Sequence, residues 1–149
     1  MSCDPSVVIE FVKRHVYAVQ ASTAANGAPQ AALIGLVATD GLELFFDTFA
    51  STRKAANLDR DRRVAFVIGG GAGDERTVQY EGVVDVPKGS ELVQLQEQYF
   101  ARFPDGRRRA SLPGIRYYRA SPLWIRFSDY NLNPPLVQEF PGDTFTSWG

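Results

Sequence analysis

Residues 42–68 read LELFFDTFASTRKAANLDRDRRVAFVI. The first part is apolar and rich in β-formers, and it ends at Asp47-Thr48. A short FAS loop follows. Ser51 or Thr52 then supplies a side-chain oxygen that caps a helix starting at Thr52-Arg53-Lys54, with Ala55 and Leu58 on one face. RRVAFVIGG returns as a largely buried strand. Hydroxyls, the free amides of a helix start and two adjacent cations therefore converge on one point, which is a site for an anion of the phosphate kind. The same residues also read as a plain N-cap with solvated cations. Cations sit poorly at the positive end of a helix, at about 0.3–1 kcal/mol each, so a bound anion would relieve a local conflict.

Upstream, Asp4-Pro5 opens a first helix, with the carboxylate on the free amides and proline in the first turn. Val8, Phe11 and Val12 form its apolar face. His15 lies at its C-terminal end, where a cation is welcome. VYAVQAST is a strand that ends at the hairpin signal Asn26-Gly27, and PQAALIGLVAT returns. Asp40-Gly41 makes the next tight turn into LELFFDT. These three strands are expected to form an antiparallel meander.

Downstream, GGGAG (residues 69–73) is a loop, because RTVQYEGVVDVP after it is a strand and no GK[ST] follows. Leu92, Leu95, Tyr99 and Phe103 recur at helical spacing over residues 91–103. PDGRRRASLPG is expected as an exposed loop whose three arginines are solvated or face an acidic partner. IRYYRASPLWIRFSDY gives one long strand or two short ones. Residues 131–149 form a Pro-rich polar tail with scattered aromatics. Mostly antiparallel strands with helices at the ends predict a closed or partly closed β-barrel of six antiparallel strands in one domain, residues 1–149.

The chain has 149 residues and a formal net charge of -1, so no global basic field draws it to nucleic acid or an anionic membrane surface. Arginine outnumbers lysine 13 to 3, which suits carboxylate and phosphate recognition and is also what a GC-rich genome would produce. Cys3 is the only cysteine and His15 the only histidine, which argues against a disulfide framework and a metal site. No run of 18 or more apolar residues is present, and residues 1–11 lack a basic head followed by an apolar run. A cytoplasmic protein is the default expectation.

The string T-x-x-S-[ST]-R-K-x-x-[NQ]-L followed by R-V-[AS]-F resembles the FMN phosphate segment of the pyridoxamine 5'-phosphate oxidase-like split barrels. Here it is Thr48-Phe49-Ala50-Ser51-Thr52-Arg53-Lys54, then Asn57-Leu58, then Arg63-Val64-Ala65-Phe66. The order of elements is similar over about residues 5–130, and the resemblance implies a mainly β fold with flanking helices, a six-stranded antiparallel split β-barrel. The resemblance implies that Arg53 and Lys54 hold an FMN phosphate, assisted by Ser51 or Thr52. It implies that Asp47 and Thr48 lie along the flavin. The family's glutamine on the following strand falls at Thr77, with Gln79 on the same strand face. It also implies a homodimer with each flavin site built from both chains.

The chain departs from the authentic oxidase in two places. The stretch at residues 32–37, ALIGLV, lacks the family's Arg and Lys. LWIRFSDYN replaces its His-containing C-terminal pattern, although Trp124, Arg126, Asp129 and Tyr130 lie nearby. Fold and cofactor follow from the resemblance, and oxidation of pyridoxamine 5'-phosphate does not. The alternatives are the deazaflavin F420, which would use the same phosphate anchor, a flavin-binding protein without turnover, and a cofactor-free barrel. One histidine disfavours haem. The strands AALIGLV and VAFVI are apolar on both faces, so a second copy is expected to cover what the barrel interior does not. The tail over residues 134–148 is expected to lie on that neighbour.

Overall fold

Alternation along the strands sorts side chains to two faces, and one face closes around a core. The computed structural model describes residues 2–148. Helix α1 (Pro5–Arg14) is capped by Asp4, whose carboxylate accepts from the Ser6 amide at 2.8 Å. Its buried face holds Val8, Phe11 and Val12. Then come β1 (Tyr17–Thr23), β2 (Pro29–Gly35), β3 (Val37–Ala38) and β4 (Leu44–Phe49). Helix α2 (Arg53–Arg60) leads to β5 (Arg63–Gly69) and β6 (Arg76–Asp85). Helices α3 (Gly89–Arg102) and α4 (Pro104–Arg109) precede β7 (Ile115–Asp129), β8 (Leu136–Pro141) and a 3-10 helix at Gly142–Trp148.

All pairings are antiparallel, in the order β2-β1-β5-β6-β7-β4-β3, with β8 on β7. The first and last strands of that order, β2 and β3, are joined through the single buried residue Leu36. The sheet therefore curls round on itself as a split barrel. Phe46, Phe66, Tyr80, Tyr118, Ile125 and Phe127 fill the interior. A smaller cluster of Val37, Phe45, Leu95, Tyr99 and Tyr117 lies beneath α3.

Several expectations need correction. Among the described residues the sheet has eight strands, not six. The first hairpin does not extend into a three-strand meander: β2 pairs β1, and only its continuation β3 reaches β4. The chain bends at Leu36 because Leu36 is drawn into the core while β2 stays at the sheet edge. PDGRRRASLPG is not simply a loop, since Pro104 starts α4 from a position that needs no amide donor. The C-terminal tail belongs to its own barrel: Phe140 and Phe145 are buried with their rings 5.6 Å apart. Gly142 lets this segment dock, because a Cβ there would lie 1.9 Å from the Pro122 carbonyl oxygen.

Among the described residues no helix is long and apolar enough to cross a membrane.

Candidate functional site

The loop between β4 and α2 is locked by hydroxyls. Thr48 is buried and its Oγ1 bonds Thr52 Oγ1 at 3.0 Å. Thr52 Oγ1 donates to the Phe49 carbonyl at 2.8 Å and accepts from the Ala55 amide at 3.3 Å. The Thr52 hydroxyl is thus consumed as the N-cap. The amides of Arg53 and Lys54, first in the helix, have no intrahelical acceptor. Ser51 and Arg53 are exposed and Lys54 is half-buried. No acidic residue lies in the first turn, and among the described residues neither Arg53 nor Lys54 belongs to an ion pair.

Helix α2 is tied to the first hairpin through Asn57. Its Nδ2 donates to Ser22 Oγ at 3.0 Å and to Gln30 Oε1 at 2.8 Å. This places the helix start over β1 and β2. A cavity of about 420 Å³ results, lined by Gln20, Ser22, Gln30, Ala31 and Ala32 on one side and residues 51–54 on the other. Gln20 is 1% exposed, and both ends of its amide lack a hydrogen-bond partner among the described residues.

Asp47 and Thr48 face a second hollow of about 440 Å³, which shares Lys54 with the first. There Tyr99 Oη donates to Asp47 Oδ1 at 2.9 Å, and Arg109 Nε donates to Asp47 Oδ2 at 3.1 Å. Burial, and then the neighbouring Asp47 carboxylate, push the Tyr99 phenol well above its usual value. Arg109 is therefore an ion-pair partner and not the solvated loop cation expected.

The structure brings Ser51, Thr52, Arg53 and Lys54 to one cavity, with Asp47 and Thr48 in the adjoining one. It does not bring Thr77 and Gln79 there. Both lie on β6, beyond β1 and β5, and Gln79 lines a hollow of about 140 Å³ with Val19, Val67 and Trp124. That outer face carries an apolar row. Leu33 pairs Val19 and Val19 pairs Val67 across β2, β1 and β5, and all three are exposed, Leu33 at 69%. Trp124 and Arg126 sit on β7 opposite Glu81 and Gln79, while Asp129 ends that strand and Tyr130 follows it. Gln20, Tyr99 and Arg109 were missed as site residues. For Gln20 a signal existed: in YAVQAST the inward positions are Ala18, Gln20 and Ser22, so a polar side chain was aimed into the barrel.

The sequence profile described as pyridoxamine 5'-phosphate oxidase matches residues 6–129. The chain belongs to the pyridoxamine 5'-phosphate oxidase family. No curated protein matches the sequence. Among solved structures, a pyridoxamine 5'-phosphate oxidase-related, FMN-binding protein from Nostoc punctiforme superposes with TM-score 0.71 at 13% identity, over 95% of this chain and 93% of that one. A haem-binding protein from Mycobacterium smegmatis gives TM-score 0.84 at 13% identity over 99% of this chain. This chain spans 62% of that protein's length. The haem storage protein HutZ of Vibrio cholerae gives 0.69 at 18% identity, over 82% of this chain and 91% of that one. These likenesses establish the family's fold in this chain, and they come from proteins that bind different cofactors.

Proposed function

We propose that this chain is an FMN-binding oxidoreductase that anchors the cofactor phosphate between Ser51, Arg53 and Lys54. The observation that carries the reading is the pair of unpaired cations at the start of α2, set over a cavity with free amides and a free hydroxyl. A phosphate there would satisfy the amides, the cations and the helix dipole together. Thr52 would not contact it directly, because its hydroxyl is spent on the cap. Thr48 holds Thr52 in place. The residues present thus fit a phosphate-bearing flavin.

When bound, the flavin supplies hydride or electron transfer, and no protein acid or base is needed to accept the hydride. Lys54 joins the phosphate cavity to the hollow of Asp47, Tyr99 and Arg109, which is the space left for a substrate or electron donor. F420 carries a comparable phosphate and is the second cofactor this anchor would accept. Haem, bound by two structural neighbours, has less support. The only imidazole, His15, stands at the end of α1, and its Nδ1 donates to the Phe11 carbonyl at 2.7 Å.

We assign the exposed apolar face of Leu33, Val19 and Val67 to a second copy of this chain. A soluble protein rarely leaves such a row open. β2 contributes both to this face and, through Ala31 and Ala32, to the cavity wall. In that homodimer Thr77 and Gln79 serve the cofactor site from the partner side. A cytoplasmic setting is part of the same reading.

The test is the double substitution Arg53→Ala/Lys54→Ala, preceded by mass analysis of any cofactor released on denaturation. Two charge-assisted contacts are lost, each about 1.5–3 kcal/mol. FMN affinity should fall at least about tenfold with the circular dichroism spectrum retained, while riboflavin, lacking the phosphate, binds poorly before and after. Unchanged FMN affinity would refute the anchor.

A further inference from the structure

The anchor accounts for the cations and leaves Gln20 unexplained. Buried amides nearly always find partners, yet both polar ends of this one have none. Two polar side chains that line the same cavity bond Asn57 and not Gln20. Ser22 Oγ and Gln30 Oε1 both accept from Asn57 Nδ2. Directly across the ladder stand Ala32 on β2 and Phe66 on β5, whose side chains offer neither donor nor acceptor. The amide therefore borders open volume, and that volume is the cavity of residues 51–54.

The chemistry of the amide restricts what it can meet. Gln20 offers a donor and an acceptor side by side. A phosphate has only acceptor oxygens at neutral pH and would satisfy Nε2 while repelling Oε1. A hydroxyl gives and takes one bond each, which matches both ends. The cations and free amides at the start of α2 already suit the phosphate.

We infer that Gln20 hydrogen-bonds a hydroxyl of the chain attached to the anchored phosphate, and so selects phosphate esters of polyhydroxylated chains over simple phosphates. This rests on the phosphate-anchor reading. It makes Gln20 a specificity-determining residue whose amide is unsatisfied only until the ligand arrives. The inference applies equally to any ligand whose phosphate is carried by a sugar alcohol.

The experiment compares wild type with Gln20→Leu by titration with FMN and with inorganic phosphate, and by thermal unfolding with and without FMN. FMN affinity should fall about tenfold in the variant, the scale of one buried hydrogen bond, while phosphate affinity stays the same. Without ligand the variant should melt at the same or a higher temperature, because an unpaired amide has left the interior. The rise in melting temperature on adding FMN should shrink. If wild type binds FMN and Gln20→Leu binds it equally well, the inference is overturned and the anchor stands. Parallel losses for FMN and phosphate also overturn it, since Gln20 would then serve the phosphate or the fold. If wild type binds neither ligand, the anchor and the inference fall together. Gln20→Met, closer in shape, takes the place of Gln20→Leu should the latter not fold.

Discussion

Asp47 ends β4 with its side chain pointed into protein, and two donors meet it there. Tyr99 reaches it from α3 and Arg109 from α4, so one carboxylate fastens two helices to the barrel. Because the Tyr99 phenol is pushed upward, its protonated form belongs to the folded state. Its contribution is full below the usual tyrosine value of 10.0 and is lost as pH rises beyond it. Tyr99→Phe should cost about 1 kcal/mol at neutral pH through the lost bond, and should flatten the fall of stability between about pH 9 and pH 12. Denaturant midpoints across that range decide it: equal slopes for variant and wild type would show that Tyr99 does not govern the alkaline limb. At this scale the sequence was legible where charge and spacing are local. Thr52, Arg53 and Lys54 could be read because a helix start and its cap occupy one short stretch. The Asp47 cluster could not, since Asp47 lies 52 residues from Tyr99 and 62 from Arg109 in the chain. Gln20 could be placed on an inward face, but its lack of a partner depends on how Asn57, more than thirty residues later, spends its own donors.

Most elements of the chain announce themselves by period. Helix α1, strands β5 and β6 and helix α3 lie close to where cap, alternation and 3.6-residue spacing put them. The C-terminal segment did not, and the reason is physical. Proline-rich composition around residues 133–141 suppresses the strand signal, while β8 owes its existence to a partner, the last turn of pairing on β7. Its apolar residues are few, but Phe140 and Phe145 enter the main core. Phe145→Ala should therefore destabilise the protein by about 3–5 kcal/mol, the cost of a large buried aromatic. A loss under about 1 kcal/mol by urea unfolding would mean that the segment is the loose tail its composition suggests.

At the scale of the molecule, antiparallel pattern and helix placement were enough to give a curled sheet with helices around it, and the family string gave its kind. Strand count was not legible, because Leu36 converts one apolar run into two strands at opposite ends of the sheet. The outer apolar row is also a whole-molecule property, visible only once Leu33, Val19 and Val67 are in register. Light scattering should return about twice the 16.5 kDa chain mass. Leu33→Asp, at a position 69% exposed in the single chain, should leave the barrel folded, split the dimer and weaken FMN binding together. A variant that stays dimeric, or a wild-type monomer that binds FMN stoichiometrically, would remove this face from the account.

Strand β7 pairs with β4, β6 and β8, and its fifteen residues begin only at Ile115. As the polypeptide leaves the ribosome, β4 and β6 must wait with one side bare until Ile115 and the residues after it have been made. Bare sheet edges invite pairing with other chains. Contacts of such long sequence separation also make for slow folding. Closure of this barrel consequently waits for β7, and a nascent chain stalled before Ile115 is exposed to aggregation with two strands seeking the partner that has not yet been made.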